Sequence, residues 1–174
     1  LIGFIGYTFF EEKDLKINYI VSINGEVSHE VKEILTSETI KSNMLICAYS
    51  YDDIIGIKHQ EVKQVGSGVI IDEKDNFYYV LTNAHVISFR HELSKLSLKV
   101  YDYQGNCYKG IVVKVSREQD LALVKFKKAS DLKVVSLSDE VLYEGDTIYA
   151  IGNPYEVLNS ITVGKVNNYT NINY

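Results

Sequence analysis

Two residues, His85 and Asp120, have the chemical types and chain positions needed for a proton-transfer pair. His85 stands in "YYVLTNAHVI", after a run of apolar and β-branched residues, and Asp120 stands in "REQDLALVKF", just before another apolar run. An imidazole whose Nδ1–H is bonded to a carboxylate has Nε2 available to take a proton from a hydroxyl nucleophile. The pair therefore predicts general-base chemistry, with His85 as the base and Asp120 as the group that orients it.

Each of these residues also has a simpler interpretation when it is taken alone. A single histidine is more often structural than catalytic. Asp120 could merely start a strand or close a turn, as we expect of Asp102 and Asp139. The catalytic hypothesis depends on the fold bringing His85 and Asp120 together at one cleft.

The elements that must position this pair are short strands. From residue 44 onward the chain alternates strand-like runs such as "GSGVIID", "FYYVLTN" and "LALVKF" with turn signals such as "DEKDN", "QGN", "REQD" and "GNP". Few helical runs separate them, which favours an antiparallel barrel or sandwich, so the predicted fold class is all-β. "DEKDN" lacks the ligand spacing of a calcium loop and is interpreted as a hairpin tip.

Composition and charge narrow the classes of function. The chain has 174 residues, 46% of them hydrophobic, and a formal net charge of -5. This composition is typical of a globular protein with one real core and offers no disordered segment. Because acidic and basic residues are mixed along the sequence, no nucleic-acid partner is expected.

Two cysteines, Cys47 and Cys107, could form only one disulfide. Both stand in apolar runs, where a buried and inert thiol is the expected role. Neither has a histidine or second cysteine at ligand spacing, so no metal site is predicted.

The N-terminal part of the chain is interpreted as a tether and a connector. Residues 1–10, "LIGFIGYTFF", are expected to be the end of a membrane anchor, although a buried strand or helix end of the same length is the alternative. Residues 11–43 are expected to be a connector with one short helix, which Ser28 could cap at its start.

Three blocks of the sequence, "GSGVIID…YYVLTNAHVI", "QDLALVKF" and "AIGNPYEVLNSITVGKV", resemble the trypsin-like serine proteases of the HtrA (Deg) family. The resemblance covers roughly residues 44–168. It implies that His85 is the catalytic base, that Asp120 orients it, and that the fold is a chymotrypsin-like double β-barrel. Residues 44–135 would form the first barrel, and residues 136–174 would begin a second, incomplete barrel. The position after the histidine, a disulfide-forming cysteine in the digestive enzymes, is Val86 here.

The sequence after Asp120 lacks the nucleophile that the family places third in chain order. It contains no Gly-x-Ser-Gly-Gly arrangement, and none of its serines stands in the expected setting. These serines are Ser130, Ser136, Ser138 and Ser160. We therefore expect the N-terminal portion of a serine endopeptidase that is inactive by itself. The alternative is a catalytically inactive homologue that binds peptides.

The resemblance also implies properties of a complete parent protein. These are unfolded or damaged polypeptides as substrates, assembly as a homotrimer, an extracytoplasmic location at the bacterial cell membrane, and in many cases a PDZ module. The reaction requires no cofactor and no metal ion.

Overall fold

A computed structural model describes residues 23–24, 27–54, 57–88, 95–129 and 132–167. The predicted anchor, residues 1–10, lies outside the described residues. No helix in the described ranges is both long enough and apolar enough to cross a bilayer.

The described chain is built mainly of strands. In chain order they are β1 (Ile23–Asn24), β2 (Asn43–Ile54), β3 (Ile57–Lys74), β4 (Phe77–Thr82), β5 (Lys95–Tyr101), β6 (Cys107–Ser116), β7 (Leu121–Lys127), β8 (Thr147–Gly152) and β9 (Ser160–Lys165). Six of them close into an antiparallel barrel in the order β2-β3-β4-β7-β6-β5, with β5 paired back to β2. The predicted all-β, chymotrypsin-like class is confirmed, with one closed barrel present.

The interior of the barrel is filled by alternate residues of each strand. On β4 and β7 every second side chain is buried, because successive side chains of a strand point to opposite faces. The ring of Phe126 lies 5.6 Å from that of Tyr78 and 4.9 Å from that of Tyr108, measured between centroids. Burying one such large side chain stabilises the fold by about 1.5–3 kcal/mol.

A tight hairpin joins β3 to β4. Its two turn residues, Asp75 and Asn76, have φ angles of 53° and 65°, and Lys74 pairs with Phe77 across the hairpin. Left-handed conformations at both positions match the twist of the flanking strands, and Asp and Asn tolerate them better than most residues. The interpretation of "DEKDN" as a hairpin tip is confirmed.

A second, smaller sheet has the order β1-β9-β8 and stands beside the barrel. Helix α1 (His29–Ser37) begins after Ser28, whose side chain accepts a hydrogen bond from the Val31 N–H, as predicted for the cap. Leu35 and Ile40 pack against Ile161 of β9, so α1 and the second sheet share one apolar cluster. The domain boundaries predicted from the sequence stay predictions.

Buried amide side chains join the second sheet to the barrel. Asn43, at the start of β2, donates to the side-chain oxygens of Asn153 (2.8 Å) and Asn159 (3.1 Å). Asn153 donates in return to Asn43 Oδ1 and to the Met44 carbonyl, while its backbone N–H donates to Ser67 Oγ. All three amides are almost fully buried. Because unmade hydrogen bonds are costly in such surroundings, this network fixes the docking of the two parts.

The two cysteines differ in their surroundings. Cys47 is buried, as predicted, but the prediction of a buried thiol is wrong for Cys107, which is exposed. Cys107 is the first residue of β6, and its neighbour Tyr108 packs against the barrel core, so the thiol is left on the outside. The described structure does not join the two thiols in a disulfide.

Candidate active site

His85 follows directly from the end of a barrel strand. Strand β4 ends at Thr82, and one helical turn, α2 (Ala84–Ile87), comes after Asn83. Ala84, Val86 and Ile87 are buried, which fixes the backbone of the turn, whereas the His85 side chain is 71% exposed. His85 thus lies where a strand gives way to a turn.

Asp120 is the last residue of the turn that precedes β7. Its backbone is left-handed, with φ 50°, a conformation that few residues other than glycine, asparagine and aspartate adopt. The side chain is 46% exposed. The reason is that Asp120 belongs to the exposed turn and not to the strand, and its carboxylate lies at the lip of the barrel.

The structure brings these two residues into direct contact at two points. The backbone N–H of His85 donates to Asp120 Oδ1 (2.9 Å), and His85 Nδ1 lies 2.7 Å from Asp120 Oδ2. An ionised carboxylate can only accept hydrogen bonds, so the ring carries its proton on Nδ1 and donates it. The opposite ring nitrogen, Nε2, is then the one available to accept a proton.

These hydrogen bonds also change the acidity of the carboxyl group. The pKa of Asp120 is lowered from its ordinary value of 3.8, first by the backbone N–H of His85 and then by the His85 ring. Asn83 adds a smaller effect in the same direction. Asp120 is therefore held as the carboxylate, the form that can accept the Nδ1 proton donor.

Two positioning residues were not found by sequence reasoning. Asn83 donates from Nδ2 to the backbone oxygen (3.1 Å) and to Oδ2 (3.2 Å) of Asp120. The carbonyl oxygens of His85, Val86 and Ser88 converge on the side-chain amide of Gln64, and because carbonyls only accept, the amide orientation that satisfies them has its nitrogen facing them at 2.8, 3.3 and 3.2 Å. Asn83 could have been found from the sequence, because it stands two residues before His85. Gln64 could not, because nothing in its neighbouring sequence connects it with His85.

Val86, the residue after the histidine, packs directly on the backbone of β3. A Cβ atom built on Gly66 would overlap the Cγ2 atom of Val86. Glycine at position 66 thus lets the β3 backbone approach the turn that carries His85. The link between these two elements is an apolar contact and contains no covalent bond.

A shallow cleft of about 270 Å³ adjoins the pair. Asn83, which precedes the turn that carries His85, and Leu121, which follows Asp120, line it on the barrel side. Ser67 and Thr82 line the same side. Ile151 of β8 lines it from the second sheet. The cleft therefore lies between the barrel and the second sheet.

The serines that follow Asp120 within the described residues are not among those that line the cleft. Ser136 and Ser138 belong to the exposed irregular segment before β8, and Ser160 begins β9 opposite Gly152. Ser130 lies outside the described residues. Within the ranges that the structure describes, no three His, Cys, Asp or Glu side chains cluster closely enough to hold a metal ion.

Comparison with known proteins agrees with this arrangement. Residues 66–174 match the family model described as a trypsin-like peptidase domain. A "Probable periplasmic serine endoprotease DegP-like" of Buchnera aphidicola subsp. Baizongia pistaciae is 28% identical over 168 residues, covering 91% of the chain and 35% of the relative. The serine protease HTRA1 of Xenopus laevis is 36% identical over 102 residues, covering 58% of the chain and 20% of the relative.

The serine endoprotease DegS of Escherichia coli is 31% identical over 107 residues, covering 61% of the chain and 28% of the relative. The chain thus spans between 20% and 35% of the length of these three relatives. The family match covers more than half of the chain and includes both His85 and Asp120. The chain belongs to the trypsin-like peptidase family, and within it the sequence is of the HtrA type.

Proposed function

We propose that this chain supplies the base and the orienting carboxylate of a serine endopeptidase. The observation that carries the proposal is the two-point contact between His85 and Asp120, with Nδ1 2.7 Å from Oδ2. The chain spans at most 35% of the length of the three relatives, and in this proposal the nucleophile and the oxyanion-binding N–H groups belong to another part of the parent protein.

In the proposed reaction, His85 Nε2 removes the proton of the serine hydroxyl while the serine oxygen attacks a peptide carbonyl carbon. Asp120 stabilises the imidazolium that forms. His85 then gives the proton to the leaving amine, which breaks the C–N bond and leaves an acyl-enzyme. Water, deprotonated by the same nitrogen, attacks the acyl carbon and releases the carboxylic acid and the free serine.

The setting of the parent protein is proposed from its relatives. The Buchnera relative is named as a periplasmic enzyme, which supports an extracytoplasmic location for this protein. The substrates that we propose are unfolded or damaged polypeptides. Assembly as a homotrimer and attachment to the membrane through residues 1–10 are further parts of this proposal, each open to direct test by sizing and by fractionation.

Labelling by a serine-directed fluorophosphonate probe tests the proposal in the full-length protein that carries this chain. We expect labelling of the wild type, and loss of labelling in His85→Ala because the serine then lacks its base. His29→Ala, which removes an exposed histidine from α1, is the matched control and should label normally. Persistent labelling of His85→Ala would count against the assigned base.

A second candidate function is peptide binding without hydrolysis. It is favoured by the apolar residues that line the cleft, among them Leu81, Leu121 and Ile151. A full-length protein that binds unfolded polypeptide but takes no fluorophosphonate label would establish it. The contact between His85 and Asp120 would then be a structural hydrogen bond.

A further inference from the structure

One part of the barrel carries an unusual distribution of charge. Strands β4, β5, β6 and β7 together contain six lysines and no aspartate or glutamate, although the whole chain has a net charge of -5. The acidic residues are therefore concentrated in the remainder of the chain. Acidic and basic residues are mixed along the sequence, but these four neighbouring strands carry only basic ones.

Five of these lysines have described side chains, and we call the surface that they form the lysine face. Its members are Lys99 on β5, Lys109 and Lys114 on β6, and Lys125 and Lys127 on β7. These three strands are adjacent in the barrel, and none of the five side chains is buried. The second sheet contacts the barrel mainly through the packing of β8 against β2, and β5, β6 and β7 are not among its main contacts.

Two lysines of the lysine face are cross-strand neighbours. Lys99 and Lys109 stand directly opposite each other on β5 and β6, and like charges in such cross-strand positions are destabilising. Among the described side chains, no carboxylate lies within ion-pair distance of Lys109, Lys114 or Lys127. An external anion would relieve this repulsion.

Exposed aliphatic side chains lie beside the lysines. On β6, Ile111 is 44% exposed and Val113 is 45% exposed, and Ile111 pairs directly with Lys125. Aliphatic groups next to cations suit the boundary between lipid headgroups and acyl chains. The aromatic rings are less available, because the Lys125 ammonium lies 4.7 Å from the Phe77 centroid and 6.0 Å from that of Tyr79. Single-stranded nucleic acid would need open aromatic faces for stacking.

We propose that the lysine face is a docking surface for an anionic phospholipid bilayer. The lysines contact the negative headgroups, and the aliphatic side chains beside them enter the outer edge of the acyl region. None of the five lysines lines the cleft beside His85 and Asp120. The proposed contact is separate from any attachment through residues 1–10, because it depends on charge and therefore on salt.

Vesicle co-sedimentation of the full-length protein tests the proposal. We expect binding to phosphatidylcholine vesicles that contain phosphatidylglycerol, weakened by salt, and little binding to phosphatidylcholine alone. The variant Lys109→Gln/Lys127→Gln should lower the affinity roughly 25-fold, since one lysine at an anionic surface contributes roughly a factor of five. Lys32→Gln/Lys165→Gln removes the same charge from exposed positions on α1 and β9 and should bind as the wild type does.

Three results would overturn the proposal. The first is equal binding to neutral and anionic vesicles. The second is an equal loss of affinity in the two double variants, which would show that only net charge matters. The third is competition by a single-stranded oligonucleotide stronger than that of an equal phosphate concentration of vesicles, which would make the face a nucleic-acid site. Ile111→Ser distinguishes a bilayer-docking surface from a nucleic-acid site, because it should weaken binding to vesicles and leave oligonucleotide binding unchanged.

Discussion

The Asp120 carboxylate contacts both the backbone and the ring of His85. One oxygen accepts from the His85 backbone and the other from its ring, so the backbone position and the ring rotation of His85 are set by one group. The sequence predicted this pair from residue types and context. It could not predict Gln64, which lies 21 positions before His85 and reaches it only through the pairing of strands.

Asn83 should act as a positioning residue. Replacing it in Asn83→Ala removes two hydrogen bonds to Asp120, and the freed carboxylate should hold the ring less well. Peptidase activity of the full-length protein should fall in kcat by roughly tenfold to a hundredfold, with little change in KM, as expected for lost bonds to a charged group. Equal losses after Asn83→Ala and after Asn167→Ala, an exposed control, would contradict this role.

The contact between Asp120 and His85 should contribute to stability in a defined pH range. Because the pKa of Asp120 is lower in the folded state than its ordinary value of 3.8, the stabilisation is complete above pH 3.8 and is lost as pH falls through the folded pKa. Urea unfolding of the wild type and of Asp120→Asn should therefore give free energies that differ above pH 3.8 and converge in more acidic solution. A difference that stays constant with pH would argue against the assigned shift.

At the scale of elements, local signals predicted the structure well where one segment acts alone. The cap of α1 and the two-residue hairpin before β4 were both found in this way. Strand β7 was harder. In "LALVKF" the buried side chains are Ala122, Val124 and Phe126, whereas Leu121 and Leu123 are less buried. Apolar residues on both faces hide the period of the strand, and only closure of the barrel decides which face is inside.

The approach of α2 to β3 should depend on the absence of a side chain at position 66. Gly66→Ala places a methyl group against Val86 and should destabilise the protein by about 1–3 kcal/mol through overpacking. Val86→Ala makes room, so the double variant should recover part of the loss. Unfolding in urea measures all three proteins, and additive losses in the double variant would contradict the contact.

For the whole molecule, the buried amides of Asn43, Asn153 and Asn159 join the two sheets. Asn153→Ala removes donors to Asn43 and Met44 and leaves an unpaired buried N–H on Asn159. The free energy of unfolding should fall by about 1–3 kcal/mol for each group left without a partner. Asn167→Ala, on the exposed surface, is the control. An unchanged midpoint in urea would show that the network does not hold the sheets together.

Composition and charge counts predicted the class of the whole molecule but not its surface. Lysines 99, 109, 114, 125 and 127 are separated along the chain by neutral, acidic and turn residues, and they come together only through strand pairing. The single closed barrel was predictable because regularly spaced turns imply short antiparallel strands. The docking of the second sheet depends on three asparagines that are far apart in the sequence, and no local pattern marks them.

The left-handed backbone of Asp120 restricts how this position can change over generations. Most replacements would strain the chain, so drift there is channelled toward asparagine or glycine, which accept the conformation and lack the negative charge. A homologue with asparagine or glycine at this position could keep the barrel intact and yet lack the carboxylate that the proposed proton transfer requires. If the proposed role of Asp120 is right, homologues with asparagine or glycine at this position should be catalytically inactive, and they can be recognised from their sequences before any assay.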